Sequence, residues 1–193
     1  SLNLLPQLSI LNNALVQHAF VDDHTEIVQS PSVALQLAYQ RNFNIRNGLK
    51  VAALINNKKS LITSSDLNER SIDLNYLSLA AIYTSKWSLN KISPRLSFQA
   101  ETGLIGGIVQ SRSVTFNDER MPYLETGFDQ FDLGAYLGVS LVTAINDQWS
   151  WSVGLVSQIG LINIFSGNQY VPQDYFSTTT QSVGLNIGLT RSF

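Results

Sequence analysis

The strongest constraint on the fold is a two-residue alternation that recurs along the chain and is clearest in residues 183–193. In this segment apolar residues dominate the odd positions up to Phe193, whereas small or polar residues occupy the even positions. Successive side chains of a β-strand point to opposite faces, so this strand has one apolar and one polar face. Such a strand suits a barrel wall with lipid outside and a polar interior. The segment therefore predicts a membrane-spanning β-barrel.

The composition supports a membrane protein without transmembrane helices. Only 13% of the residues are charged and 44% are hydrophobic, with a mean hydropathy of +0.05. No segment reaches the roughly 18 consecutive apolar residues of a spanning helix. Because backbone groups in lipid must be paired internally, a closed barrel is the remaining way to cross the membrane. The expected location is the outer membrane of a Gram-negative bacterium, and the absence of Cys is compatible with export.

The turn signals predict a single all-β domain over residues 1–193, a transmembrane antiparallel up-and-down β-barrel of about eight strands. The pair Asn47-Gly48 is expected to supply the positive φ angles of a tight hairpin. Other short turns are expected around residues 86–94 and 144–147. Longer connections are expected at 14–30, 57–72, 111–128 and 166–178. Short turns are predicted to face the periplasm and the longer loops the exterior. The first strand, about residues 2–12, contains Pro6, which requires a bulge or a strand end.

The interior of such a small barrel is expected to be filled by side chains, which argues against a porin. The residues predicted to point inward include Gln36, Lys50, Gln99, Glu101, Asp132, Tyr136, Gln158 and Asn186, interspersed with Gly103, Gly134, Gly138, Gly154, Gly184 and Gly188.

Three charged residues are placed deep inside by the pattern, namely Lys50, Glu101 and Asp132. A buried charge needs a partner. We therefore predict a polar network in which Lys50 pairs with one or both acids, next to Gln99 and Tyr136. Its expected role is to plug the lumen rather than to catalyse a reaction.

The exposed charges are divided between the two ends of the predicted barrel. Asp147 is the main acid near the short turns, whereas the acids otherwise collect in the longer connections. These charges are either solvated rims or, for the acidic loops, a surface for a cationic partner or for divalent ions at the lipopolysaccharide. No ligand spacing supports a specific metal site. The cations near the short turns are Arg41, Arg46, Lys86, Lys91, Arg95 and Arg191.

Aromatic residues are expected to form girdles at the two membrane interfaces, although some could pack between strands instead. Near the short turns these residues are Tyr83, Trp87, Trp149, Trp151 and Phe193, and near the longer connections they are Phe128, Phe131 and Phe165.

An enzymatic site is not expected. The two histidines, His18 and His24, lie beside Asp22 and Asp23 in the first long connection, where a solvated histidine is the ordinary outcome. No nucleophile motif, phosphate-binding loop, zinc motif or basic-aromatic nucleic-acid surface accompanies them. We predict no catalytic, metal or cofactor-binding residues and no nucleic-acid partner.

Three segments and the last strand resemble a known family. The segments Tyr76–Tyr83, Pro94–Gly103 and Asp132–Gly138 are similar to the small outer-membrane β-barrel family of Bacteroidota, the porin-like or PorT-like domain, over about residues 31–193. The resemblance implies the barrel fold but no pore. Some family members serve secretion or gliding machineries.

The last strand also resembles the signal that the barrel assembly machinery reads during insertion. Asn186, Gly188 and Phe193 match that signal, whereas Arg191 departs from its usual hydrophobic residue.

Together these features favour an accessory or scaffolding barrel that contacts outer-membrane lipid and lipopolysaccharide and binds other outer-membrane proteins of a secretion or assembly complex. The alternative is a stand-alone structural or adhesive barrel of the OmpA-like kind that acts through its loops. An outer-membrane enzyme and a soluble lipocalin-like carrier are weaker hypotheses. A carrier would need its apolar face inside.

Overall fold

The structure, a computed structural model, describes residues 2–13, 26–63, 69–167, 169 and 178–191. Apart from one short helix, α1, at Pro122–Glu125, its regular elements are strands. The strands are β1 Leu2–Asn13, β2 Glu26–Asn42, β3 Asn47–Thr63, β4 Glu69–Ser88, β5 Leu96–Phe116, the two-residue β6 Glu119–Arg120, β7 Phe131–Ala144, β8 Trp149–Gly160 and β9 Thr178–Arg191.

The long strands form one closed sheet. Each long strand pairs antiparallel with the next long strand in the chain, including β4 with β5 and β5 with β7, and the pairing of β1 with β9 closes the ring. The short β6 pairs only with the end of β5. The predicted up-and-down barrel of about eight strands is therefore confirmed. Closure leaves no free sheet edge along most of the wall.

The first short turn, residues 43–46, does not use the chemistry that the sequence suggested. Asn47 and Gly48 already belong to β3, and neither has a positive φ. The turn is held instead by the Asn44 side chain, whose Oδ1 accepts hydrogen bonds from the amides of Arg46 and Asn47 at 2.9 and 2.7 Å. Space favours glycine at position 48, because a Cβ there would lie 2.9 Å from the backbone carbonyl oxygen of Arg41.

The tight positive-φ turn of the described chain lies elsewhere. Asn117 and Asp118, with φ values of 47° and 64°, join β5 to β6. Both residue types tolerate this conformation. The sequence pattern missed this turn because it lies within the segment predicted as a long connection.

Strand occupies most of the predicted connection 57–72 and part of the predicted connection 111–128. Strands β3, β4 and β5 continue into these residues. Outward residues such as Asn57, Asp73 and Asn75 are polar here, so the apolar alternation is lost while the pairing continues. Asn57 Nδ2 donates to Asp73 Oδ1 at 2.6 Å and to Asn75 Oδ1 at 2.8 Å, and Asn75 Nδ2 donates to Ser111 Oγ at 2.8 Å. These contacts form a polar ladder across three strands.

The first strand accommodates Pro6 without a bulge. Pro6 lies opposite Val33 of β2, while the pairing of β1 with β9 is interrupted between Leu4 and Gln7 and resumes in the same register. A proline cannot donate a ladder hydrogen bond, so the interruption lies where the donor is missing.

The wall has an apolar outer face and a buried inner face. Outward rows such as Val33, Leu35 and Leu37 are more than half exposed, whereas the alternating Ala34, Gln36 and Ala38 are buried. The same division holds on β3, β4, β7 and β9. Within the described ranges, no helix has the length and apolar character needed to cross a membrane.

Candidate functional site: a filled lumen inside an apolar wall

An ion pair lies in the lumen near the short turns. Lys50 of β3 and Glu101 of β5 are 2% and 6% exposed, and Lys50 Nζ donates to Glu101 Oε1 at 2.6 Å. Gln99 Nε2 donates to the same oxygen at 2.7 Å, and Lys50 Nζ lies 5.9 Å from the centre of the Tyr136 ring. The structure thus brings together four of the five residues of the predicted network.

The fifth residue, Asp132, belongs to a second ion pair closer to the longer connections. Lys58 Nζ donates to Asp132 Oδ2 at 3.0 Å and to Thr180 Oγ1 at 2.8 Å, and the Thr180 hydroxyl donates to the same Asp132 oxygen at 2.8 Å. Lys58 also lies over the Tyr76 ring, 4.8 Å from its centre. The structure therefore divides the two acids between two lysines and shows no triad around Lys50.

Lys58 is the lumen residue that sequence reasoning missed. It lies within residues 57–72, which were predicted to be a loop, and so it was not assigned to the interior. The signal was nevertheless present, because Lys50, Ala52, Leu54, Asn56 and Lys58 occupy alternate positions of one strand and all are buried. The alternation of inward positions along β3 therefore places Lys58 in the lumen, even though its outward neighbours are not apolar.

Between and around the ion pairs the lumen is filled by uncharged polar and small side chains. Asn56 Nδ2 faces Gln158 Oε1 at 3.4 Å, and the predicted inward residues Gln36 and Asn186 are also buried. A cavity of about 10 Å³ beside Lys58 and Asp132 has room for about one water molecule. Among the described residues the side chains thus leave a packed interior rather than an aqueous channel.

An apolar cluster lies at the end of the barrel opposite the short turns. Its buried members come from β4, β5 and the segments after β6 and β8, and Phe128 and Phe165 pack edge to face at 5.2 Å. The two segments are joined because the Asp129 amide donates to the Ile164 carbonyl at 2.8 Å. We call this the mouth cluster: Ile72, Leu74, Tyr76, Val109, Val114, Phe128, Ile164 and Phe165.

The mouth cluster corrects part of the predicted aromatic girdle. Phe128 and Phe165 are only 3% and 2% exposed, so they face the interior and not lipid. Phe131 is exposed on the wall. Aromatic residues in loop segments can serve either purpose, and the sequence pattern does not distinguish a ring folded inward from one at the interface.

At the short-turn end the aromatic residues lie on the outer face. Tyr83, Trp87 and Trp151 are exposed, and the half-buried Trp149 lies beside Arg191, whose guanidinium carbon is 5.6 Å from the ring centre. Phe193 lies outside the described residues.

The outer apolar rows have the height of a membrane. From Leu77 to Trp87, strand β4 rises about 33 Å at the usual rise per residue. At a tilt of about 40° this corresponds to about 25 Å along the barrel axis, which is the height of the apolar band of outer-membrane barrels. Asn75, in the polar ladder, comes directly before Leu77 in the outward row. The ladder and the Trp residues therefore bound the apolar band.

Of the remaining candidate site residues, two lie in the lumen and four lie outside the described part of the chain. Asn186 and Gly188 of the proposed assembly signal point into the lumen. His18, His24, Asp22 and Asp23 lie outside the described residues. No group of three or more histidines, cysteines or acidic residues suited to a metal ion occurs in the part of the chain that the structure describes.

The comparisons with known proteins support the fold. No family model matches the chain, and no curated protein matches it in sequence. Neisserial surface protein A is similar in structure, with 10% identity, a TM-score of 0.54 and coverage of 99% of this chain and 96% of that chain.

Two further solved structures are weaker matches. The outer membrane protein OprG of Pseudomonas aeruginosa has 11% sequence identity and a TM-score of 0.49. The match covers 100% of this chain and 95% of that chain. Ail of Yersinia pestis, in complex with the heparin analogue sucrose octasulfate, has 12% sequence identity and a TM-score of 0.43. The match covers 100% of this chain and 97% of that chain. The resemblance to the PorT-like family stays a prediction. The likeness to Neisserial surface protein A shows that this chain has the fold of that surface protein.

Proposed function

We propose that this protein is a non-enzymatic barrel of the outer membrane of a Gram-negative bacterium. The observation that carries this proposal is the apolar outer wall, whose large side chains are exposed on β2, β3, β4, β5, β7, β8 and β9. A soluble protein rarely exposes an apolar surface of this extent. A barrel whose apolar side chains point outward and whose polar side chains point inward is suited to a surrounding of lipid.

Because the lumen is filled, we expect the protein to act through its outer surface. Two ion pairs and the mouth cluster occupy the interior, which argues against passage of solutes through the barrel. Both lumen carboxylates are engaged by lysine ammonium groups, an arrangement that suits structural ion pairs better than acid–base catalysis. The contacts with other molecules therefore belong to the wall and to its two ends.

Within this class we propose an accessory or scaffolding role, in which the barrel binds other outer-membrane proteins of a secretion or assembly complex. A groove of about 490 Å³ beyond the start of β7 supports this role. Its lining is mainly polar and includes Gln110, Arg112, Glu125 and Gln130. The family resemblance is part of the same proposal, since its three segments overlap the wall strands β4, β5 and β7. Lipopolysaccharide and, during insertion, the barrel assembly machinery are the other proposed contacts.

A stand-alone surface barrel is the second candidate. It is favoured by the extension of β3, β4 and β5 beyond the polar ladder, which gives the barrel a protruding, hydrogen-bonded platform. In this case the platform itself, and not a stable partner, would carry the activity.

Photocrosslinking in native outer membranes separates the two candidates. A photoreactive amino acid is placed at Gln110 or Gln130 in the groove, with Lys91 at the opposite end as the control position. A single protein crosslinked at near-equal stoichiometry from the groove positions, but not from Lys91, supports the accessory role. Recovery of the barrel alone supports the stand-alone role. Recovery in the soluble fraction would overturn the membrane assignment.

A further inference from the structure

Two of the outward rows end in an arginine at the short-turn side of the wall. On β2 the row Val33, Leu35, Leu37 and Tyr39 is followed by Arg41, and on β9 the row Val183, Leu185, Ile187 and Leu189 is followed by Arg191. Both arginines are exposed and occupy lipid-facing positions of the strand alternation. A cation one step beyond an apolar row lies at the depth of lipid headgroups.

The two arginines belong to β2 and β9, the two strands that flank β1. Leu2 of β1 lies opposite Leu37 of β2 on one side and opposite Leu189 of β9 on the other. Arg41 and Arg191 follow these partners in the same direction. Arg41 is four residues beyond Leu37 and Arg191 is two residues beyond Leu189. Two strand spacings of about 4.8 Å and a stagger of about 7 Å along the strands therefore separate the two backbones by about 12 Å. The long arginine side chains can therefore approach one headgroup together.

The surroundings match a negatively charged headgroup. Trp149 lies against the Arg191 guanidinium, as stated above, and Tyr39 is exposed directly before Arg41 in the outward row. Arg46 adds a further cation in the neighbouring turn, and Asp147 is the acid of this rim among the described residues. Arginine forms bidentate hydrogen bonds with phosphate, and aromatic rings favour the interface.

We infer that Arg41 and Arg191 form a binding site for a phospholipid with an anionic headgroup, in the leaflet at the short-turn end. This inference rests on the membrane location proposed above. The ligand phosphate is held between the two guanidinium groups, and its acyl chains lie along the apolar outer face near β1. The site makes the barrel select its lipid neighbours at one position of its circumference.

Fluorescence quenching tests the site directly, because Trp149 lies beside it. The protein with Trp87→Phe and Trp151→Phe is refolded into phosphatidylcholine vesicles that contain brominated phosphatidylglycerol or brominated phosphatidylcholine. Phosphatidylcholine also carries a phosphate but has no net charge, so the expected preference comes from the net negative charge of phosphatidylglycerol and is about fivefold for each arginine that contacts the headgroup. Arg41→Gln, which leaves the Trp149–Arg191 contact in place, is expected to lower this preference markedly, and Arg41→Gln with Arg191→Gln to lower it to about one. The matched control is Lys59→Gln, which removes one charge at the opposite end and is expected to keep the preference.

The outcomes distinguish this site from the proposed location. Heat-dependent migration on a gel first establishes whether the barrel has inserted. An inserted barrel that is quenched equally by both brominated lipids, or that keeps its preference after both arginines are replaced, overturns the lipid site alone. A protein that inserts into none of the vesicles overturns both the membrane assignment and the site.

Discussion

At the scale of single residues, the lumen is governed by the cost of burying charge. Glu101 and Asp132 each have a lysine ammonium group within 3.0 Å. The sequence predicted Lys50 and Glu101 because charged residues interrupt inward rows whose outward neighbours are apolar. It did not predict Lys58, because polar outward residues at that height remove the contrast between the two faces.

Replacement of Lys50 by methionine is expected to destabilise the barrel. Glu101 would be left as a buried charge without its partner, which costs about 3–5 kcal/mol. Urea unfolding in detergent micelles measures this loss. The double variant Lys50→Met, Glu101→Leu is expected to recover most of it, because no unpaired charge remains. The exposed Lys91→Met serves as the control, and an unchanged stability of Lys50→Met would contradict the role of the pair.

Thr180 is expected to matter more than its neighbour in sequence. Thr180→Val removes one hydrogen bond from Lys58 and one to Asp132 in the buried lumen, at a cost of about 1–3 kcal/mol. Thr179→Val makes the same chemical change on the opposite face of β9 and is expected to be nearly neutral. Equal urea midpoints for the two variants would show that the ion pair of Lys58 and Asp132 does not depend on Thr180.

At the scale of strands and turns, the alternation predicts structure only where the two faces differ in polarity. It identified the wall strands within the apolar band and failed beyond the polar ladder, where residues such as Asn57 and Asn75 face outward. The short turns predicted around residues 86–94 and 144–147 do join β4 to β5 and β7 to β8. Only the chemistry of the first turn was predicted wrongly, because the Asn44 side chain completes that turn, whereas the pair Asn47-Gly48 begins a strand. Side-chain capping of this kind depends on the three-dimensional path of the turn.

Close contact between strands makes Gly154 sensitive to substitution. A Cβ at Gly154 would lie 2.1 Å from the Val139 carbonyl oxygen, which is backbone and cannot turn away. Gly154→Ala is therefore expected to cost about 1–3 kcal/mol and to lower the refolding yield. Gly106→Ala is the matched control, since its Cβ would meet only the Phe131 ring at 3.6 Å. A refolding yield for Gly154→Ala equal to that of Gly106→Ala would argue against this contact.

The segment after β6 is expected to respond to acid. Arg120 donates hydrogen bonds to both Glu125 carboxylate oxygens, at 2.8 and 3.0 Å, and thereby lowers the pKa of Glu125, while partial burial acts in the opposite direction. A lowered folded-state pKa means that the stabilisation is present above the unfolded-state pKa and is lost as the pH falls through the folded-state value.

This response can be followed at Val114, whose amide donates to Glu125 Oε1 at 3.3 Å. The Val114 amide resonance is expected to titrate with a midpoint below the ordinary glutamate value. Arg120→Gln is expected to move the midpoint upward. A midpoint that Arg120→Gln does not change would rule out the ion pair as its cause.

At the scale of the whole molecule, the interior is closed in layers. The ion pair of Lys50, the ion pair of Lys58 and the mouth cluster follow one another along the axis. The filled lumen and the closed sheet could be predicted from strand number and alternation. The mouth cluster could not, because it is assembled from segments that are distant in sequence and lack a periodic pattern.

A planar bilayer containing the refolded protein is expected to show no conductance above the baseline. Phe128→Ala, which opens part of the mouth cluster, is expected to leave the bilayer non-conducting because both ion pairs remain below it. A porin inserted under the same conditions provides the positive control. Steady conductance steps from the unmodified protein would contradict a filled lumen.

Because β1 pairs with both β2 and β9, the first strand of the chain has a neighbour on each side, as every other wall strand has. Leu2 and Leu189 lie opposite each other at the short-turn end, and the antiparallel register between β1 and β9 is the same on both sides of Pro6. A short linker between these two strands, combined with a cut in the turn at residues 89–95, would give a circular permutant with every strand pair retained. The wall is thus specified by which strands are neighbours, and the chain could be threaded through it from a different starting point.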